Sequence, residues 1–264
     1  VVGGEFAHTF EDAIRSQSQQ CRQLAACRKR FPKNAHAQLE SLVARLRDAP
    51  VAVEYRDPAS GESRTGTVDE HTVTGLAFMF SYMPQTASLL PLVLDEADHG
   101  RYAPLMSLSQ LMGRSTSGSM ARGMQWSVIC AEDADRRVED AAASDTLLGP
   151  DVARMFFAAC PGWPHASRPD GFTDPLRSDA PVLLLSGELD PVTPPRYGDR
   201  VLEHLPNGRH LVLRGQGHGT LALGCMPRLL GQFMESADAK VLDASCLDTL
   251  TYVPPFTSFN GWEP

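Results

Sequence analysis

Two short stretches near the end of the chain carry side chains that can do chemistry together. In the first, Leu183, Leu184, Leu185 and Ser186 form an apolar run of strand length. It leaves through Gly187 into a turn, Glu188-Leu189-Asp190-Pro191, that bears a carboxylate. In the second, a strand at His210–Leu213 runs into Arg214-Gly215-Gln216-Gly217-His218-Gly219, where an imidazole is flanked by glycines. Catalytic groups of open α/β sheets sit just beyond the carboxyl ends of the strands, where loops converge over a rigid support. A carboxylate and an imidazole on adjacent strand ends therefore meet at one edge. Imidazole, with an unperturbed pKa of about 6.5, suits the task of taking a proton from a weakly nucleophilic hydroxyl. The carboxylate holds the ring in the useful tautomer and stabilises the imidazolium that forms. The expected roles are His218 as base and then acid, and Asp190 as its orienter. Alone, an aspartate after a strand is an ordinary turn former and a histidine in a glycine loop is ordinary surface; the joint placement carries the reading.

The elements that must position this pair follow from periodicity. Pro181–Ser186 and His210–Leu213 read as strands, with a short helix over Tyr197–Leu205 between them and another over Leu221–Met234. Strand, helix, strand, helix implies a parallel sheet buried on both faces. Two strands do not complete such a sheet, so its remainder is expected from outside this chain. Upstream, the pattern is mostly helical: Phe10–Arg30 up to Pro32, Ala35–Arg47 up to Pro50, then Asp69–Tyr82, Thr86–Ala97, Ala103–Met112 and Asp145–Ala159. A hairpin is expected over Val51–Val68, turning at Pro58–Gly61, and Gly113–Gly118, rich in Ser and Gly, reads as a loop. A proline- and glycine-rich stretch, Cys160–Asp179, separates the two patterns. The expected organisation is a mostly helical domain over 1–165 and an α/β segment over 166–264.

Bulk properties narrow the function. At 264 residues, 42% hydrophobic, the chain is long enough to bury a core. A formal charge of −8 without a basic stripe argues against nucleic acid and anionic membrane as partners. No apolar run approaches the roughly 18 residues that cross a bilayer. The opening Val1-Val2-Gly3-Gly4-Glu5 has no initiator methionine and no signal-like segment, so an upstream part, with any export signal, is expected to be missing. The six cysteines (Cys21, Cys27, Cys130, Cys160, Cys225, Cys246) lack metal-site spacing and favour disulfides and an oxidising compartment, secreted or periplasmic. Six cysteines allow about 15 pairings that the sequence does not choose among; the expected one is nearest-neighbour, Cys21 with Cys27, Cys130 with Cys160 and Cys225 with Cys246. On an unbroken helix Cys21 and Cys27 would point roughly 120° apart, so a bridge there needs the helix to break between them. His8, His36, His71, His99 and His165 show no ligand spacing, and no metal or cofactor is implied.

The C-terminal half resembles the TAP-like region of secreted tripeptidyl-aminopeptidase and proline-iminopeptidase-type α/β hydrolases. The matching motifs are Pro181 to Pro194, Gly215-Gln216-Gly217-His218-Gly219 and Cys225-Met226-Pro227-Arg228. Weaker likeness extends back through Val128–Asp133 and Cys21–Phe31. The resemblance implies the C-terminal part of an α/β-hydrolase fold with a helical cap, in the order Ser, Asp, His, the serine sitting on a G-x-S-x-G elbow. No serine of this chain has both glycines. Ser115 comes closest, with Gly113 before it but Ser117 after it, and it follows a predicted helix rather than a strand. By analogy Val1 follows the sixth strand, so the elbow and most of the sheet precede it and the chain alone is inert. The implied activity is peptide hydrolysis, as an exopeptidase, with cap carboxylates holding the substrate's ammonium. Glu132 and Asp133, after the apolar run Trp126–Cys130, are the candidates. Trp163 and Met124 are read as packing. The alternatives are an esterase or lipase on the same fold, marked by an apolar rather than an acidic pocket, and a non-catalytic binding subunit that keeps Asp190 and His218 as a relic.

Overall fold

The computed structural model describes residues 1–261. The chain opens with α1 (Phe6–Gln23), α2 (Ala25–Arg30) and α3 (Ala35–Asp48). The helix expected over Phe10–Arg30 is broken at Leu24, whose extended backbone (φ −83°, ψ 126°) swings Cys27 back toward Cys21, and the two are bridged. Asn34 caps α3 by accepting the backbone N–H of His36 and Ala37, and Leu39, Leu42, Val43 and Leu46 fall on its buried face. The hairpin β1 (Val51–Arg56) and β2 (Ser63–Val68) is antiparallel, with Val51 opposite Val68. In its turn Asp57 accepts the N–H groups of Ala59 and Ser60, and Gly61 takes φ +71°.

Next come α4 (Glu70–Ser81), opened by an Asp69/Thr72 capping box, then α5 (Pro84–Ala87), α6 (Leu90–Asp98) and α7 (Ala103–Ser119). The single helix expected over Thr86–Ala97 is two, because Pro91 has no N–H to donate and sits in the first turn of α6 rather than in a helix interior. The loop expected at Gly113–Gly118 is instead the last turns of α7. The weak helix propensity of serine and glycine costs under about 1 kcal/mol per residue, and Arg114 ties this end down with two hydrogen bonds to the buried carboxylate of Asp57. These elements share one core, in which Phe10, Leu39, Leu42, Leu46, Phe80 and Leu105 are essentially solvent-free.

Residues 122–132 form a further helix, α8 (Arg122–Glu132), and α9 (Asp151–Phe157) is shorter than expected because Gly149, at φ +64°, and Pro150 interrupt it. The Cys130–Cys160 disulfide joins α8 to the turn after α9. Of the apolar run Trp126–Cys130, only Ile129 and Cys130 are buried; as one turn of an amphipathic helix the run cannot face the interior all round.

The α/β segment comprises β3 (Val182–Gly187), α10 (Pro195–Leu202), β4 (Gly208–Leu213) and α11 (Met226–Ser236). β3 and β4 pair in parallel, Leu184 opposite His210 and Gly187 opposite Leu213. Its core is small: Leu211, Leu213, Met226, Leu229 and Leu247. Gly224, at φ +52°, and Pro227 place the start of α11 later than the apolar pattern indicates. The Cys225–Cys246 disulfide closes that end, so the nearest-neighbour pairing is the one formed throughout. Such bridges fit a protein of an oxidising compartment. Among the described residues no helix is long and apolar enough to cross a membrane.

Candidate active site

β3 ends in Ser186 and Gly187, and the backbone N–H groups of Glu188 and Leu189 donate to the carbonyls of Leu213 and Gln216, 3.1 and 2.8 Å away. The acid-bearing turn is thus stitched to the histidine-bearing turn. Gly187 permits this approach, since a Cβ there would lie 2.0 Å from the carbonyl oxygen of Gly217. Glu188 adds a strut, accepting the Gly215 N–H at 2.7 Å and the Tyr252 hydroxyl at 2.8 Å.

Within this frame His218 Nδ1 lies 2.9 Å from Asp190 Oδ2. The carboxylate is almost fully satisfied. Its Oδ1 accepts the N–H groups of Val192 and Thr193, both at 2.9 Å, and Oδ2 also accepts the Thr193 hydroxyl at 2.7 Å. Burial works to raise the pKa of Asp190, but the hydrogen bonds from His218, Thr193 and Val192 outweigh it and hold the group below its ordinary value. The hydrogen bond to Asp190 pushes the pKa of His218 up, against partial desolvation. An ionised carboxylate only accepts, so the bridging hydrogen belongs to Nδ1 and Nε2 of the neutral ring is left as an acceptor. Asp190 is 5% exposed and the His218 side chain 46%, so the acid is sealed while the imidazole reaches solvent. The two residues singled out from the sequence are therefore brought together, with the burial contrast that an orienter and a base require.

Helix α1 braces the acid turn from the other side. The Thr9 hydroxyl donates to the Pro191 carbonyl at 2.5 Å, and Tyr197 and Arg196, on α10, reach Glu5. The Tyr82 carbonyl accepts the backbone N–H of His218 at 2.7 Å. Thr193 lies inside a motif already singled out; Thr9 and Tyr82 sit in ordinary helical sequence that gives no signal of a distant partner.

Glu132 and Asp133 lie at the end of α8. The Glu132 carbonyl accepts from Arg168, and Asp133 accepts the Val2 N–H at 2.7 Å. The contacts described for them include neither Asp190 nor His218.

Two further clusters went unread in the sequence. Ser186, His210 and Asp199 stand in line, with Oγ to Nε2 and Nδ1 to Oδ1 both 2.8 Å. The residue types are those of a triad, yet Ser186 is buried and lines none of the cavities described, so the line acts as a polar strut holding α10 on the sheet. Glu11, His36 and Glu40 bring ligand-type atoms within 4.8 Å of one another. Glu11 is already engaged by Arg15 and by the Leu147 N–H, which makes the cluster a tie between α1 and α3. A cavity of about 370 Å³ adjoins the Asp190 and His218 turns at Leu189 and Gly217, and its other walls, among them Ile14, Leu39, Leu90 and Leu94, are mainly apolar.

Asp190, buried, is hydrogen-bonded to the solvent-reaching His218, and both lie just past the carboxyl ends of paired parallel strands, where α/β sheets present functional groups. Residues 145–246 match the family model described as TAP-like protein, one of the abhydrolase models, and this stretch contains the Asp190 and His218 turns. The match supports an α/β-hydrolase family and a hydrolase activity. No curated protein matches the chain.

Proposed function

We propose that this chain is the helical lid (1–165) and final strands (166–264) of a secreted serine hydrolase that acts on peptides as an exopeptidase. In this reading the nucleophilic serine lies on polypeptide outside these residues. The observation that carries the proposal is the 2.9 Å Asp190–His218 hydrogen bond, with the acid buried and the Nε2 side of the ring open. The state of β3 supports the location of the serine: its one partner among the described strands is β4, and Val182, Leu183, Leu184 and Leu185 are only half-buried. An apolar parallel strand of this composition is ordinarily covered on both faces and paired on both edges.

The chemistry is acyl transfer. His218 Nε2 takes the serine proton as the serine oxygen attacks the scissile carbonyl carbon. The resulting imidazolium, stabilised by Asp190, returns that proton to the leaving amine, and an ester of the serine remains. Water then repeats the sequence on the ester, with His218 again as base and then acid. Glu132 and Asp133 are assigned the substrate's free ammonium. No cofactor enters the scheme.

A second reading, esterase activity on the same site, is favoured by the apolar walls of the cavity beside Leu189 and Gly217. Comparing aminoacyl and tripeptidyl p-nitroanilides with p-nitrophenyl esters, using the complete gene product, separates the two. The expected result is amide turnover that falls by about 10⁴-fold in Asp190→Asn and at least as far in His218→Ala. Turnover of esters alone establishes the second reading; turnover unchanged in both variants removes the pair from catalysis.

A further inference from the structure

The Asp190 hydrogen bond fixes one point of the His218 ring. An imidazole held only at Nδ1 still swings about the line to its partner, which carries Nε2 away from a hydroxyl waiting at one place. Something lateral has to fix the ring plane. The backbone N–H of His218 donates not to its own loop but to the carbonyl of Tyr82, at 2.7 Å, where α4 ends. Gly217 makes that approach possible, for a Cβ there would lie 2.2 Å from the same oxygen. The Tyr82 ring then meets the imidazole edge to face, with centroids 5.4 Å apart and planes at 73°.

Tyr82 is itself backed by rings. Phe78, one turn earlier on α4, meets it at 5.3 Å and 83°. Phe78 in turn touches Phe10 at 5.5 Å and Phe6 at 6.1 Å, both on α1. A column of aromatic side chains thus runs from the helical core to the imidazole. The Tyr82 hydroxyl makes no hydrogen bond among the described residues, although a half-buried tyrosine hydroxyl ordinarily finds a partner. Its ring is therefore the working part.

We infer that Tyr82 is a positioning residue for His218, its ring and carbonyl holding the imidazole with Nδ1 on Asp190 and Nε2 turned outward. The functional meaning of this role rests on the hydrolase reading above, whereas its structural content does not. The helical region would then be more than a cover: one of its helices forms part of the seat of the base.

The test is made on the complete gene product labelled with ¹⁵N-histidine, using long-range ¹H–¹⁵N spectra that report the tautomer and the exchange of the Nδ1 proton. Wild type is expected to show a single Nδ1–H tautomer with slow proton exchange. Tyr82→Phe is expected to match it. Tyr82→Leu, which keeps apolar bulk without a ring edge, is expected to mix the tautomers and speed exchange about tenfold, with an unchanged circular dichroism spectrum. Should Tyr82→Leu not fold, Phe78→Leu removes the backing ring instead and is expected to move the same signals in the same direction, by less. Wild-type tautomer and exchange retained in Tyr82→Leu, or in Phe78→Leu where it stands in, overturn the inference. So does a Tyr82→Phe variant as disturbed as Tyr82→Leu, since the hydroxyl would then be the agent. Asp190→Asn separates the two claims: loss of the Nδ1 proton there, with retention in Tyr82→Leu, upholds the acid–base pair and overturns the role of Tyr82.

Discussion

The helical region and the α/β segment are finished to different degrees. In the first, Phe10, Leu39, Leu42, Leu46, Phe80 and Leu105 close into a core that water does not reach. In the second, β3, the most apolar of the described strands, is half-buried along Val182–Leu185, and among the described residues five (Leu211, Leu213, Met226, Leu229 and Leu247) make up the buried cluster. Yet the tightest backbone approaches lie at the strand ends, where Gly187 brings the two turns together and Gly217 brings the second of them against Tyr82 at the end of α4. Stability and precision are therefore lodged in different places: the helices supply most of the buried apolar surface, and the strand ends supply the geometry.

Stability measurements sharpen this contrast most. Phe10→Ala is expected to cost roughly 3–5 kcal/mol, the range for a large side chain deleted from a closed core. Leu184→Ala on half-buried β3 is expected to cost only about 1 kcal/mol, in proportion to the apolar area it buries. Equal losses in denaturant unfolding would show that the sheet segment is as complete as the helices. Glycine substitutions read the same contrast from the other side. Gly217→Ala is expected to cost roughly 1–3 kcal/mol, because its Cβ meets the Tyr82 carbonyl. Gly75→Ala, exposed in α4 with open space around it, is expected to be neutral or to stabilise by up to about 1 kcal/mol. A Gly217→Ala variant as stable as Gly75→Ala would mean the two regions are not locked together at Tyr82.

The smallest effect is the dependence on pH. The folded pKa of His218 lies above 6.5, so its stabilising contribution is present in full below about pH 6.5 and is lost as pH rises through the raised value. That of Asp190 lies below 3.8, so its contribution is present above about pH 3.8 and is lost as pH falls through the depressed value. Both act together between about pH 4 and 6.5. Because the ring is nearly half exposed, the gap in melting temperature between wild type and His218→Asn is expected to be small there, and to close toward pH 9. A gap that widens as pH rises would reverse the sign of the coupling.

What the sequence discloses follows the range of the contacts involved. Asp190 and His218 are legible because each closes a strand-to-turn pattern within a few residues, and the strand order brings the turns together. The Cys21–Cys27 bridge is legible only as a condition: it needs a helix break that the periodicity of Phe10–Arg30 does not show, and the break occurs at Leu24. The end of α7 is misread as loop because local propensity is weak and the Arg114–Asp57 bond that overrides it spans two elements. Thr9, Tyr82 and the Ser186–His210–Asp199 line are invisible for the same reason, since nothing near them in the chain points to their partners.

The central claim is that Asp190 and His218 serve a serine nucleophile. Its most direct measurement is fluorophosphonate labelling of the complete gene product, with the modified residue located by mass spectrometry. The account predicts one labelled serine outside residues 1–264, with labelling abolished in His218→Ala and strongly slowed in Asp190→Asn. An unlabelled protein, or labelling as fast in His218→Ala as in wild type, would contradict it.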